Sequence, residues 1–233
     1  MSVDEPILRV SNLSLVRSGR IIFDRVNFEL RRGDLLLLVG NNGSGKTSLL
    51  DCICGFERAS GGVVGIAPKP VSRVFQHRCA FWNMTVRENV ALASWADADL
   101  RKGARRLFGR AGPVPARVDQ LINQLLLSEY RDRSPAVLSG GQLQRLKLAM
   151  ALAHGTDLIL VDEPFTDLDT RSVELMTQML LETRTVGAVV VVSHRVVTEL
   201  NPSDVYELPD RTARTEPLLS WRAKPSFSKR CVL

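Results

Sequence analysis

The stretch Gly40-Asn41-Asn42-Gly43-Ser44-Gly45-Lys46-Thr47-Ser48 has the residue types and spacing of a polyphosphate cradle. Small residues let successive backbone N–H groups turn toward an anion, and the spacing Gly40, Gly45, Lys46, Thr47 sets that turn at the N-terminus of a helix, whose dipole favours negative charge. Lys46 would reach the β- and γ-phosphates as a point charge, while the Thr47 hydroxyl would ligate Mg²⁺.

Two other stretches carry matching chemistry. Leu160-Val161-Asp162-Glu163 ends an apolar run in two carboxylates. At the C-terminal end of a buried strand, where α/β folds bind ligands, Asp162 suits a Mg²⁺ site through water and Glu163 is placed to orient or polarise an attacking water. A strand-end acidic pair that caps the next helix is the other reading, and only the phosphate loop in the same chain favours the first. In Ser139-Gly140-Gly141-Gln142, a serine N-cap followed by two glycines leaves free N–H groups at a positive helix end, a second anion site.

Several elements must position these residues. The apolar run Leu35 to Val39 reads as a buried strand feeding the loop, and Lys46 to Cys54 as a helix stopped by Gly55. Upstream, Ile7 to Leu15 and Ile21 to Leu30 alternate apolar and polar residues, as half-buried antiparallel strands do, joined by a turn at Arg17-Ser18-Gly19-Arg20. Val63 to Ile66 and Val71 to Gln76 are strand-like. From Thr85 to Tyr130 the pattern is helical: Thr85-Val86-Arg87-Glu88 is a capping box, 99–108 reads as a second helix, and 115–127 as a third with proline in its first turn. A helix over 143–153, a strand over 157–162, a helix over 171–182 and a strand over 188–193 complete the pattern. Strand alternating with helix around a phosphate loop predicts a parallel sheet wound by right-handed crossovers.

Composition narrows the class. The 233 residues are 45% hydrophobic and 24% charged, which fits a globular protein and argues against disorder. No apolar stretch has the length of a membrane span, and Met1 to Pro6 has no basic segment leading into an apolar one, so the expected location is the cytoplasm. A net charge of +6 permits an acidic partner, whether nucleic acid, an anionic membrane surface or a nucleotide, and does not choose among them; the basic residues are spread along the chain with local enrichment at Arg101 to Arg110 and Arg211 to Arg230, and nucleic acid is the least expected partner. Four cysteines, Cys52, Cys54, Cys79 and Cys231, are too scattered for a disulfide framework.

Taken in order from about Ile7 to Leu208, these stretches resemble the ATP-binding cassette (ABC) family. Gly40 to Ser48 matches its Walker A motif, and Leu158 to Glu163 its Walker B motif. Gln76, in Val74-Phe75-Gln76-His77, is similar to the Q-loop glutamine, a Mg²⁺ ligand and sensor. Ser139, Gly140, Gly141 and Gln142 resemble the signature motif, which in that family faces the phosphate loop of a partner subunit. Thr166-Asp167-Leu168-Asp169 looks like the D-loop, and His194 like the switch histidine that contacts the γ-phosphate.

The resemblance implies an α/β P-loop NTPase of the ABC type, with a mostly parallel core sheet, an antiparallel β-subdomain and a helical subdomain inserted at about 77–140. One ATPase domain would span 1–208, followed by a basic tail over 209–233. ATP and Mg²⁺ would be its cofactors, with Thr47, Gln76 and Asp162 at the metal and Glu163, His194 and Gln76 at the reaction. The family works as a homodimer, or as a heterodimer with a related ATPase subunit, on integral membrane permease subunits, at the cytoplasmic face of the inner (plasma) membrane. Phe81-Trp82-Asn83-Met84 falls where such ATPases receive the permease, although core packing would serve the same residues. Short fragments around Gly55 and Arg87 resemble bacterial importer ATPases. The competing expectation is a soluble family member without a permease, such as an iron–sulfur assembly ATPase. Two departures stand out. The family's adenine-stacking aromatic near position 17 is replaced by Arg17, which offers a guanidinium plane instead, and the short interval from Lys46 to Gln76 implies a trimmed β-subdomain.

Overall fold

A computed structural model describes residues 5–67, 71–75, 80–94, 114–166, 168–194 and 197–208. The expected helix over 99–108, Gln76, Asp167 and the basic tail lie outside the described residues.

Alternation along the first two strands resolves into one buried face. Strand β1 (Leu8–Arg17) pairs antiparallel with β2 (Arg20–Leu30), from Leu8 opposite Leu30 to Arg17 opposite Arg20 across a tight turn. On its other side β1 pairs antiparallel with β4 (Gly61–Ile66), giving a three-stranded sheet in the order β2-β1-β4.

The second sheet is parallel throughout and runs in the order β5 (Val71–Val74), β6 (Leu158–Asp162), β7 (Ala188–Ser193), β3 (Leu35–Val39), β8 (Asp204–Glu207). Every residue of β3, β6 and β7 is buried, which explains their unbroken apolar composition. Because side chains alternate across a strand, Leu35 and Leu37 join one core with the helices, whereas Leu36 and Leu38 join a second core against the antiparallel sheet and helix α1 (Lys46–Ile53). A Leu or Val buried this fully contributes about 1.5–3 kcal/mol relative to an exposed one.

Among the described residues, the α-helices between β5 and β6 are α2 (Val86–Ser94), α3 (Ala116–Gln124) and α4 (Gly140–Ala153), and α5 (Thr170–Val186) follows β6. The capping box opening α2 is formed: Thr85 N–H donates to Glu88 at 2.7 Å and Glu88 N–H to the Thr85 hydroxyl at 3.1 Å. Several boundaries differ from expectation: β1 runs on to Arg17, β4 begins at Gly61, α1 ends at Ile53 and α3 ends at Gln124. α4 begins at Gly140, since the Ser139 cap closes over the glycines and makes them its first turn. α5 runs on to Val186, and β5 stops at Val74. Strand β8 adds an element that the sequence pattern does not predict, as four residues at a sheet edge carry little periodicity. No helix among the described residues is long and apolar enough to cross a membrane.

Candidate functional site

Sheet order brings the chemical residues to one edge. Val39 sits opposite Ser193 in the β3–β7 pair, and Asp162 opposite Val192 in the β6–β7 pair. The three chain exits, at Gly40, Glu163 and His194, therefore leave side by side. Glu163 N–H donates to the Val192 carbonyl at 3.1 Å, fixing the turn after β6 to β7.

The glycines of the loop are required by space and by dihedral angle. Gly45, at φ 104°, caps α1 in the left-handed region, and a β-carbon there would lie 2.7 Å from Ile22 Cγ2. At Gly40, φ 153°, a β-carbon would meet Ser44 Oγ at 2.7 Å and the Leu208 carbonyl at 2.8 Å. The end of β8 thus walls the loop, held there by Leu208 N–H donating to the Val39 carbonyl at 2.9 Å. Lys46 is buried at the first position of α1, and its ammonium donates to the carbonyls of Gly40 and Asn41 at 2.7 and 3.0 Å. Burial lowers its pKa, while Glu163 and Asp162 act to raise it. The Ser44 hydroxyl oxygen is buried and has no hydrogen-bond partner.

Asp162 is almost fully buried at the end of β6. Burial raises its pKa, opposed by a hydrogen bond from the Thr47 hydroxyl and by the charge of Arg73. Its Oδ2 lies 3.6 Å from the Arg73 guanidinium, and its Oδ1 has no partner. A buried carboxylate with an orphan oxygen, near the Thr47 hydroxyl, fits a hard cation such as Mg²⁺, which is held through one or two carboxylates together with phosphate and water oxygens. Among the described residues, no group of three or more His, Cys, Asp or Glu is arranged to hold a metal ion.

Glu163 adopts φ 50°, a conformation costing a non-glycine residue about 1–3 kcal/mol. Its Oε2 lies 3.1 Å from Nδ1 of the exposed His194. Glu163, His194, Asn41, Asn42 and Thr166 line one open cleft of about 650 Å³, so the carboxylate faces the loop. The arrangement can hold a polyphosphate and present a carboxylate–imidazole pair to its outer end.

Ser139, Gly140, Gly141 and Gln142 do not line that cleft. Ser139 N–H donates to Gln142 Oε1 at 2.9 Å, Gln142 N–H returns to Ser139 Oγ at 3.3 Å, and Gln142 Nε2 donates to the Tyr130 hydroxyl at 2.9 Å. Gly140 is open to space, with nothing within 4 Å of the point a β-carbon would occupy. Asp169 caps α5 by accepting from Ser172 N–H at 2.7 Å. Arg17 is exposed and makes a forked ion pair with Glu57, both oxygens lying 2.7 Å from its Nη2.

Three residues that sequence reasoning passes over also bear on the site. Arg73 contacts Asp162. Buried Lys147, on α4, donates to the Phe75 carbonyl at 3.3 Å, tying the helix capped by Ser139 to the residue before Gln76. Asn89 clamps the segment carrying Phe81 and Trp82. Charged residues within apolar strand or helix faces are the available signal for the first two.

Comparison with known proteins bears on the family and the fold. The family described as "ABC transporter" matches residues 23–166, more than half of the chain. The sulfate/thiosulfate import ATP-binding protein CysA of Nocardia farcinica is 42% identical over 158 residues, covering 64% of this chain and 45% of that protein. The Fe(3+) ions import ATP-binding protein FbpC 2 of Haemophilus influenzae is 32% identical over 194 residues, covering 77% of this chain and 52% of its own length. The chain thus spans about half the length of these curated relatives. A crystal structure of the ADP conformation of an ATP-binding cassette of an ABC transporter superposes with a TM-score of 0.71 at 26% identity, over 88% of this chain and 87% of that one. With the loop, the strand-end carboxylates and the capped α4 helix set on that shared fold, the chain belongs to the ABC transporter family.

Proposed function

We propose that this chain is the ATP-binding and ATP-hydrolysing subunit of an ABC transporter, which closes as a dimer on ATP and drives a separate membrane permease. The observation that carries the reading is the cleft shared by Glu163, His194 and the Asn41–Asn42 loop, with Lys46 buried behind it.

In this reading the N–H groups at the start of α1 and the Lys46 ammonium hold the β- and γ-phosphates. Thr47 and Asp162, with Gln76, would hold Mg²⁺, which would supply positive charge to neutralise the phosphates. Glu163 accepts a hydrogen bond from the attacking water and polarises it. His194 steadies that carboxylate through its 3.1 Å contact and faces the outer phosphate. Arg17, held flat by Glu57, offers its plane to the adenine.

Ser139 to Gln142 act on the ATP of the other subunit, whether an identical or a related one. The Gln142 capping box keeps the α4 N-terminus rigid for that role. Asp167 and Asp169 lie on the segment between Glu163 and α5 that meets the same partner. Phe81 and Trp82, 50% and 38% exposed, are offered to the permease. Both named relatives are import proteins, and we propose import here, with the subunit peripheral at the cytoplasmic face of the membrane.

The test is Lys46→Ala. Loss of charge-assisted hydrogen bonds worth about 1.5–3 kcal/mol should weaken ATP binding roughly tenfold to a hundredfold with the far-ultraviolet circular dichroism unchanged. Undiminished ATP affinity in the folded variant would refute the assignment.

A further inference from the structure

Arg73 lies on β5, one strand away from the carboxylates, opposite Leu160 of β6. Its side chain is only 4% exposed, and the guanidinium touches two acidic residues from different elements. One is Asp51 on α1, paired with Nη1. The other is Asp162 at the end of β6, whose Oδ2 lies 3.6 Å from Nη2. The flat face of the cation is fixed as well: it sits 4.7 Å from the centre of the Phe75 ring and 5.9 Å from that of Phe56, and those two rings are 5.9 Å apart.

The two acidic partners matter because of what shares their elements. Asp51 and Thr47 are four residues apart on α1 and so lie on one face of the helix. Arg73 therefore joins the helix that carries Thr47 to the strand that carries Asp162. With Oδ2 turned toward Arg73, Oδ1 is left without a partner in the same buried carboxylate that Thr47 neighbours.

We propose that Arg73 is a positioning residue for the divalent cation: it sets the separation of Thr47 and Asp162 and the rotation of the Asp162 carboxylate, without touching nucleotide or metal. This rests on the nucleotide reading above. Arg73→Met keeps length and apolar bulk against the Phe rings but removes both ion pairs. It should leave α1 unlatched from β6 and Asp162 free to turn.

The test titrates Mn²⁺, as a paramagnetic stand-in for Mg²⁺, into protein held in excess over a non-hydrolysable ATP analogue, with free Mn²⁺ read by electron paramagnetic resonance. Affinity for the analogue without metal is measured in parallel. Arg73→Met should raise the half-saturating Mn²⁺ concentration tenfold or more and change metal-free affinity by less than twofold. Asp51→Asn cuts only one of the two links and should move the same quantity in the same direction by a smaller factor, which keeps the test available if Arg73→Met does not fold. An equal loss of metal-free and metal-dependent binding would overturn the proposal in favour of general destabilisation. Tighter Mn²⁺ binding in Arg73→Met would also overturn it, because the arginine would then act as a repelling charge. Failure of the native protein to bind the analogue at all would instead defeat the nucleotide assignment.

Discussion

Asn89 is fully buried on α2, and its side-chain amide holds the turn that presents Phe81 and Trp82. Its Oδ1 accepts from Phe81 N–H at 2.7 Å, while Nδ2 donates to the carbonyls of Phe81 and Thr85 at 3.0 and 2.8 Å. Asn89→Ala deletes these three bonds and a longer one from Nδ2 to the Met84 carbonyl at 3.5 Å. The Thr85 and Phe81 carbonyls keep backbone partners in the Asn89 N–H at 3.0 Å and the Met84 N–H at 3.2 Å, but the Phe81 N–H loses its acceptor. At about 1 kcal/mol net per bond, and with part of the loss recovered from water at this half-exposed turn, the cost is about 2–3 kcal/mol. Hydrogen exchange of a peptide spanning 80–90 reads that cost directly: the Phe81 amide should exchange about thirtyfold to a hundredfold faster in the variant. Nucleotide affinity should not change, because none of the clamp's bonds reaches Gly40 to Ser48. Unaltered exchange at Phe81 would show that the turn is held by something other than Asn89, and the reasoning would fail.

Glu163→Gln keeps side-chain size and a hydrogen-bonding group for His194 but removes the charge that polarises water. It should bind ATP normally, slow cleavage by about 10²–10⁴ and collect as an ATP-bound dimer on size exclusion; a monomer with ordinary turnover would refute the role. Arg87 grips Asp119 through two bonds of 2.9 and 3.0 Å, which hold the Asp119 carboxyl below its usual pKa. The stabilisation is therefore present above the unfolded-state value, about 3.9, and is lost as pH falls through the lower folded-state value. A double-mutant cycle of Arg87→Ala and Asp119→Ala should give a coupling of about 0.3–1 kcal/mol at neutral pH that fades below that window, and a coupling unchanged in acid would contradict the ion pair.

Much of the core is readable in the sequence because burial on both faces leaves an unambiguous mark. Leu35 to Val39, Leu158 to Val161 and Val189 to Val192 are apolar runs too short for helices, and each is a central strand. The phosphate loop is equally legible, since Gly40 and Gly45 stand where a β-carbon would collide. Features decided by distant contacts are hidden. Nothing in Asp204-Val205-Tyr206-Glu207 announces a strand; β8 exists because β3 offers it a free edge. The start of α4 is displaced from its expected position because glycine has low helix propensity, and the Ser139–Gln142 box overrides that preference. Arg73 reads as one polar residue in a short strand, and its three-way contact is visible only once β5, β6 and α1 are assembled.

The place of β7 in the sheet has a consequence for synthesis. Strands β3 and β6 are far apart in the chain and do not pair with each other; each pairs with β7, whose residues 188–193 emerge after both. Until Ala188 to Ser193 have left the ribosome, Leu35 to Val39 and Leu158 to Asp162 each keep an open edge of unpaired N–H and carbonyl groups along an apolar ribbon. The phosphate loop and the carboxylates stay unregistered for the same interval. A growing chain of this order has its loop, its helices and its antiparallel sheet available for folding long before it has a nucleotide site, and it carries its greatest risk of misassociation just before β7 arrives.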